Sequence, residues 1–269
     1  MPEGDTILRA ARALGRTLQG KRITSFSSPL PRLDGADLSG RIVEAVEARG
    51  KNLLVRFDDG RALLTHMRMT GSWHLYGPGE RWKKPARLAR AVLATEDAVA
   101  VCFNAPVVEL LSARQLARHE SLRRLGPDVL AEGFDAAEAV RRIAASGERP
   151  IGEALILQSA LAGVGNIYKS ETLFLCGVDP FSPSASLSEK DLTRIVAKAR
   201  DLMSANLDGS PRRTRQTLGG ASYWVYGRSG KACFRCGTRI RMRRQGTAGR
   251  STYWCPGCQP ALAPQAAAR

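Results

Sequence analysis

The sequence predicts an α+β protein of several domains: an N-terminal helix with an antiparallel β-sandwich, a helical domain, and a small C-terminal hairpin held by cysteines. Turn-broken, β-branched segments fill the first half of the chain, and amphipathic helical segments fill most of the second. The last segment is too short to fold on an apolar core, but it contains two close cysteine pairs. We place the domains at residues 2–111, 112–225 and 226–260, followed by a disordered tail at 261–269.

The first element is an amphipathic helix over residues 5–20. Its arginines lie off the apolar stripe, which consists of Ile7, Ala10, Leu14 and Leu18. Asp5 is expected to cap this helix because its short side chain can accept a hydrogen bond from a backbone amide, and Gly20 is expected to end it.

The β-sandwich follows from residue 23 to about 104, with a hairpin turn at residues 58–60 (Asp-Asp-Gly). From Ser112 onward the pattern becomes helical, and the predicted segments are 112–119, 135–146, 151–161, 167–177 and 187–207. Cys102 and Cys176 lie in apolar runs, so we expect both to be buried packing residues.

The C-terminal cysteines have the spacing of a metal site. Two C-x2-C pairs are separated by eighteen residues, and the four side chains are Cys233, Cys236, Cys255 and Cys258. A hairpin between the pairs can bring four thiolates tetrahedrally around one Zn²⁺, which supplies the folding energy that a small core lacks. Two disulfides are the alternative, and a cytosolic location disfavours them. Four thiolates leave no open position for water, so this zinc is expected to be structural.

The charge distribution favours a polyanionic partner. The net charge is +16, and after Asp208 the chain has twelve lysines and arginines and no acid. Aromatic residues interleave with these cations without forming an amphipathic helix; they are Tyr223, Trp224, Tyr226, Tyr253 and Trp254. A solvated surface or an anionic membrane could account for the cations alone, but the aromatic interleaving favours nucleic acid.

No apolar run is long enough to span a bilayer, and the first residues have acids in place of the basic and apolar regions of a signal peptide. We therefore expect a cytoplasmic protein, associated with the nucleoid when it is bound to DNA.

The start of the chain carries a potential nucleophile. Pro2 is small enough to allow removal of Met1, which would leave a free secondary amine. Such an amine forms an iminium with a sugar C1′, and the adjacent Glu3 could act as the acid that opens the sugar ring. Taken alone, however, Pro-Glu-Gly is only a signal for the start of a helix, and that interpretation would be preferred.

Several segments, which occur in order along nearly the whole chain, favour the nucleophile over an ordinary helix start. They are PEGDT, ARGKNLL, HMRMTGSW, RLGPDV, QSALAGVGNIYKSETLF and GRSTYWCPGCQ. Together they resemble the formamidopyrimidine-DNA glycosylase and endonuclease VIII family. The resemblance implies a sandwich with an N-terminal helix, a helix–two-turn–helix domain and a zinc-finger hairpin.

The resemblance also implies catalytic roles. Pro2 matches the Schiff-base nucleophile and Glu3 the general acid, while Lys51 matches a lysine that assists β-elimination. Arg250 matches the arginine that contacts phosphate during δ-elimination. Without the resemblance, Lys51 would be a solvated turn residue and Arg250 an ordinary phosphate contact.

Four further residues match DNA contacts of the family. Met69 matches the side chain that fills the space of a flipped base, with Arg68 beside it, although methionine is otherwise more often a core residue. Asn166 follows a glycine-rich turn and could cap the next helix in a phosphate cradle, or simply cap an ordinary helical hairpin. Arg124 is carried over as a DNA contact.

The chain departs from the family pattern at two places, of which the first indicates the branch and the second is a feature of a subgroup. The Arg-Phe loop of the formamidopyrimidine branch is missing, and VCFNAPVVELLSARQL is closer to endonuclease VIII, which prefers oxidised pyrimidines. Asp5 also replaces a second proline.

The resemblance thus implies a monomeric, bifunctional DNA glycosylase and abasic-site lyase that acts on damaged double-stranded DNA by β,δ-elimination. Single-stranded or bubble DNA remains an alternative substrate. A non-catalytic zinc-ribbon protein that binds DNA damage is the alternative function, and an RNA-binding ribbon protein is more remote.

Overall fold

The computed structural model describes residues 2–209, 211–216 and 220–261. The chain divides into two compact units, Met1–Arg124 and Leu125–Arg269. Residues 112–124, which we assigned to the helical domain, belong to the first unit. The predicted tail lies outside the described residues apart from Ala261, and Met1 also lies outside them.

The N-terminal helix α1 spans Gly4–Leu18, and its buried side includes Ile7, Leu14 and Leu18, as predicted. The expected cap at Asp5 is wrong. Glu3 is the N-cap residue, and Asp5 lies buried in the first turn because the helix starts one residue earlier than the sequence indicated. Gly20 follows the helix with φ of 77°, a conformation that favours glycine.

Two antiparallel sheets form the predicted sandwich. In chain order the strands are β1 (Ser25–Ser27), β2 (Val43–Arg49), β3 (Asn52–Phe57), β4 (Ala62–His66), β5 (Ser72–Tyr76), β6 (Ala89–Ala94), β7 (Val99–Phe103) and β8 (Val107–Leu111). One sheet has the order β2-β3-β4-β8 and the other β1-β6-β7-β5. The predicted hairpin joins β3 and β4, and Gly60 in its turn has φ of 78°.

Side chains from α1 and from both sheets share one apolar core. Leu14 of the helix, Val55 of one sheet and Leu93 of the other all belong to it. Cys102 is fully buried in this core, and Cys176 is buried in the core of the second unit, so both predicted packing cysteines are confirmed.

The helices are α2 (Ala113–Arg118), α3 (Glu120–Arg123), α4 (Ala136–Ala144), α5 (Ile151–Ala154), α6 (Asn166–Leu175) and α7 (Glu189–Ser204). The predicted helix over 151–161 is wrong beyond Ala154. The Gln158 side chain closes the following loop: its Oε1 accepts from Gly163 N at 3.0 Å, and its Nε2 donates to Val164 O at 3.0 Å. These bonds stabilise a turn where the apolar pattern alone suggests a helix.

The C-terminal segment contains the antiparallel hairpin of β9 (Arg241–Gln245) and β10 (Arg250–Trp254). Among the residues that the structure describes, no helix has the length and apolar character needed to cross a membrane.

Candidate functional site

The first group of predicted site residues gathers at one end of the first unit. Helix α1 runs antiparallel to β2, because Gly20 N donates to Val43 O at 2.8 Å while Gly15 faces Val46 further along the strand. Pro2 lies thirteen residues before Gly15, about 20 Å along a helix axis, and Lys51 lies five residues beyond Val46, about 17 Å along a strand. The start of α1 and the turn after β2 therefore reach the same end of the sandwich.

Pro2 and Glu3 differ sharply in exposure. Pro2 is partly exposed, whereas Glu3 is fully buried, and the Glu3 carbonyl accepts the first helical hydrogen bond from Ile7 N at 3.1 Å. The start of α1 thus places the buried Glu3 next to Pro2, which solvent can reach.

Lys51 belongs to the two-residue turn between β2 and β3. Arg49 pairs directly with Asn52, and Gly50 has φ of 59°, which fits the first position of a type II′ hairpin turn. The register then places Asn52 opposite His66, the last residue of β4. Lys51 is therefore adjacent to the loop that follows β4.

That loop, residues 67–71, is a tight turn that exposes Met69. Gly71 N donates to Met67 O at 2.8 Å, and a Cβ on Gly71 would lie 2.6 Å from Met67 backbone atoms. Met67 is buried in the core, whereas Met69 is 62% exposed. Thr70 Oγ1 donates to Asn104 O at 3.2 Å, which ties the loop to the turn after β7.

His66 supports the same loop as a neutral imidazole. Arg68 has φ of 45°, and its backbone N–H donates to His66 Nδ1 at 3.1 Å. Burial, followed by the charges of Arg68 and Lys51, lowers the pKa of His66. The neutral form favoured by this shift keeps Nδ1 available as an acceptor for the strained Arg68 amide.

Arg124 lies at the end of the first unit, immediately after α3. Its guanidinium is 75% exposed and forms an ion pair with Glu120 at 2.5 Å. An ion pair this exposed contributes little stability, so the arginine can exchange its partner for a phosphate at small cost.

In the second unit the predicted residues Asn166 and Arg250 come together. Asn166 Nδ2 donates to Ser251 O at 2.6 Å, so the residue adjacent to Arg250 is bound to the start of α6. The expected capping role of Asn166 is wrong, because Gly165 is the N-cap and the Asn166 side chain turns toward β10 instead. Arg250 itself is exposed at the first position of β10, opposite Gln245.

Polar residues of α6 extend this attachment along the hairpin. Lys169 is fully buried, and its Nζ donates to Thr252 Oγ1 at 2.7 Å. Thr252 in turn donates to Gln245 Oε1 at 2.8 Å, and Gln245 Nε2 donates to Pro180 O at 2.9 Å. A buried network of hydrogen bonds therefore holds β10, the strand that carries Arg250, against α6.

Glu171 anchors the segment that leads into the hairpin. Its buried carboxylate accepts hydrogen bonds from Thr214 Oγ1 and from the backbone amides of Trp224, Val225 and Tyr226, each amide at 2.8 Å. Burial raises the pKa of Glu171, while the four donors oppose that rise. Lys169 and Glu171 are not among the residues predicted from the sequence, although two charged residues in an otherwise apolar helical stretch are a usable signal for buried polar contacts.

The C-terminal cations are not all surface charges. Arg228 is buried, donates to Trp224 O and to Ala232 O, and lies 3.5 Å from the centroid of the Phe234 ring. Arg215 lies 3.9 Å from the same centroid. These two arginines pack the hairpin segment, whereas Arg241, Arg243, Arg244 and Arg250 are exposed on the hairpin itself.

The four cysteines fit one zinc ion. None of them is in a disulfide, and their sulfur atoms all lie within 4.8 Å of one another. The Cys233–Cys258 and Cys236–Cys255 sulfur distances are 3.8 and 3.4 Å, close to the ~3.8 Å between thiolates bound tetrahedrally at 2.3 Å from zinc. Hydrogen bonds from Thr238 lower the pKa of Cys236 to about 6, whereas burial raises the pKa of Cys255 and of Cys258, so zinc binding has to displace the protons of these two thiols. This is a single structural zinc site that joins the two ends of the hairpin.

The fold, the exposed cations and the zinc site together define a zinc-containing protein that binds nucleic acid. Three family models match in order: the formamidopyrimidine-DNA glycosylase N-terminal domain over residues 1–107, its H2TH domain over 125–216, and the zinc finger found in FPG and IleRS over 230–261. The chain belongs to the formamidopyrimidine-DNA glycosylase and endonuclease VIII family, as the sequence motifs implied.

Curated relatives carry endonuclease VIII names. The chain is 42% identical to a probable endonuclease 8 2 of Streptomyces coelicolor, covering all of this chain and 98% of the relative. It is 38% identical to the DNA-(apurinic or apyrimidinic site) lyase Nei2 of Mycolicibacterium smegmatis, covering 97% of this chain and all of the relative. A solved complex of Lactococcus lactis Fpg with DNA that contains an abasic site is 25% identical, with a TM-score of 0.79 over 96% of this chain and all of the other.

Proposed function

We propose that this member of the family is a bifunctional glycosylase and abasic-site lyase that uses the amine of Pro2 as its nucleophile. As a family member the protein is a DNA glycosylase with lyase activity. The observation that carries the assignment to Pro2 is the pairing of a partly exposed Pro2 with a fully buried Glu3, at the end of the sandwich that also holds Lys51 and Met69.

The chemistry follows from the amine. After removal of Met1, Pro2 has a secondary amine, and an α-amino group titrates near pH ~7.7–8.0, so a useful fraction is neutral in the cell. Its lone pair bonds to C1′ as the bond from C1′ to the damaged base breaks, and the departing base takes up the amine proton. Glu3 then protonates the ring oxygen so that the sugar opens to an iminium. The iminium accepts electrons when a proton leaves C2′, and the 3′ phosphate departs by β-elimination.

Lys51 and Arg250 complete the proposed elimination steps. Lys51, in the turn beside the Met69 loop, assists β-elimination. Arg250, exposed on β10, donates to the phosphate that leaves in δ-elimination. Zinc takes no part in these steps; when bound to its four cysteines it maintains the hairpin that carries Arg250.

DNA binding uses the remaining predicted residues. Met69 fills the stack vacated by the flipped nucleotide, with Arg68 beside it, since an exposed apolar side chain on a tight turn is suited to insertion. Arg124 and the start of α6 at Asn166 contact backbone phosphates.

We propose oxidised pyrimidines in duplex DNA as the main substrate, because the Streptomyces coelicolor relative is named a probable endonuclease 8 2 and the Arg-Phe loop is missing from the sequence. Single-stranded or bubble DNA is a secondary substrate class to be compared directly. We further propose that the enzyme acts as a monomer in the cytoplasm and associates with the nucleoid through DNA.

Borohydride trapping tests the proposal. Wild-type protein incubated with an abasic-site duplex and borohydride should form a covalent adduct, because reduction fixes the iminium. Pro2→Gly and a form that retains Met1 should each trap far less, and intact mass should show that wild-type protein lacks Met1. If wild-type protein that lacks Met1 and binds the duplex forms no adduct, the alternative of a non-catalytic damage-binding protein is favoured.

A further inference from the structure

A basic segment on the outer face of the sandwich has no role in the proposed reaction. We call residues 80–87, between β5 and β6, the basic strap. It contains the cations Arg81, Lys83, Lys84 and Arg87. Only Glu80 opposes them within the segment, and its carboxylate accepts from Gly77 N at 2.9 Å.

The strap is fixed to the sheet by an aromatic anchor. The Trp82 ring stacks on Tyr76 with a centroid distance of 6.3 Å and meets Phe103 edge-on at 5.8 Å. Lys83 N also donates to the Tyr76 hydroxyl at 3.1 Å. Because the backbone is held in this way, less conformational entropy is lost when the cationic side chains bind a ligand.

Three of these cations are available for an external anion, whereas the Lys84 ammonium is half-buried and donates to Ser72 Oγ. Within the part of the chain that the structure describes, none of the four strap cations forms an ion pair with an acid. Arg81, Lys83 and Arg87 are exposed, and the strap lines a cavity of about 660 Å³. Burial, followed by the charges of Lys84 and Lys83, lowers the pKa of the adjacent His74.

The strap lies next to the Met69 loop. Lys84 Nζ donates to Ser72 Oγ at 2.8 Å, and Ser72 is only three residues from Met69. Three residues span at most about 11 Å, so the Lys84 ammonium lies within roughly 16 Å of Met69. At one phosphate per 3.4 Å of duplex in each strand, this limit corresponds to at most about five base pairs.

We propose that the basic strap binds the phosphate backbone of duplex DNA, with its Lys84 end within about five base pairs of the lesion, and so extends the enzyme's contact with DNA on one side of the Met69 loop. The proposal rests on the proposed function, because it takes Met69 to mark the position of the lesion. Phosphates are the chemistry that fits an exposed row of unpaired cations on a fixed backbone.

The test compares two double variants that change the net charge equally. Arg81→Gln with Lys83→Gln removes two exposed strap cations, while Arg12→Gln with Arg16→Gln removes two exposed cations from α1. Fluorescence anisotropy at several salt concentrations measures binding to a 25-base-pair duplex containing a tetrahydrofuran abasic analogue, which the enzyme cannot cleave. The slope of log affinity against log salt should fall by about 0.9 per lost contact, or about 1.8 for the strap variant, and should change little for the α1 variant.

Two series of duplexes, each shortened stepwise on one side of the analogue, locate the contact. The wild-type slope should fall to that of the strap variant in one series only. Equal slopes for both double variants and wild type, or equal losses in both variants, would overturn the strap assignment. Because the analogue is not processed, this result is independent of borohydride trapping: trapping with an unchanged slope refutes only the strap, and a changed slope without trapping refutes only the catalytic proposal.

Discussion

Single residues with no predicted role organise the second unit. Glu171 is the clearest case, because one buried carboxylate accepts from a hydroxyl and from three consecutive backbone amides. Each of its oxygens accepts two of these bonds. A segment without regular secondary structure is thereby bound to α6, at the point where the chain enters the zinc-binding hairpin.

We expect Glu171→Gln to destabilise the protein by about 2–4 kcal/mol, because the amide NH₂ must face at least one backbone N–H and leave it without an acceptor. Urea denaturation with zinc present, followed by circular dichroism, measures the loss. Glu132→Gln is the matched control, since Glu132 is exposed, and it should change the free energy of unfolding by less than about 0.5 kcal/mol. Equal stabilities of the two variants would show that the carboxylate is dispensable.

At the scale of elements, the turn 67–71 separates two methionines that look alike in the sequence. The Gly71 hydrogen bond to Met67 closes the turn, Met67 enters the core, and Met69 projects into solvent. The close approach of Gly71 to the Met67 backbone leaves no room for a side chain.

Gly71→Ala should therefore open or shift this turn. Overpacking of this kind costs about 1–3 kcal/mol, and we expect abasic-analogue duplex affinity to fall by up to a comparable free energy because Met69 is displaced. Gly133→Ala is the control, since a Cβ there meets nothing within 4 Å. Anisotropy titrations and denaturation of both variants make the comparison. If Gly71→Ala bound the duplex with wild-type affinity, the conformation of this turn would not contribute to DNA binding.

At the scale of the whole molecule, the two units depend on zinc to different degrees. The first unit has a core formed by a helix and two sheets. The hairpin segment has a small cluster, in which two of the five buried members, Cys233 and Cys255, are themselves metal ligands. Removal of zinc should therefore affect the second unit first.

Chelation of zinc, or Cys255→Ser, should abolish hydrogen-exchange protection in β9 and β10 while β3 and β4 retain theirs. Duplex affinity should fall together with metal content, because the exposed arginines lose their fixed strands. Hydrogen exchange, metal analysis and anisotropy on the same samples provide the measurement. Full duplex affinity in metal-free protein would exclude the hairpin from DNA binding.

The sequence by itself determined the features that depend on local spacing. The helix at the N-terminus, the sandwich with its 58–60 turn, and the four zinc ligands follow from periodicity, turn residues and cysteine intervals, each of which is fixed within a few tens of residues. The same local patterns misplaced the start of α1 by one residue. They also predicted α5 too long, because the Gln158 side chain forms hydrogen bonds with backbone groups that stabilise a loop after Ala154.

Only the tertiary structure decided which distant residues meet. Asn166 binds Ser251 across 85 residues and Glu171 binds Trp224 across 53, and no local pattern encodes either pairing. The gathering of Pro2, Lys51 and Met69 at one end likewise follows from the antiparallel packing of α1 on β2 and from strand register. The physical reason is that a buried polar group must find a partner wherever the fold places one, and that position is set by packing of the whole unit.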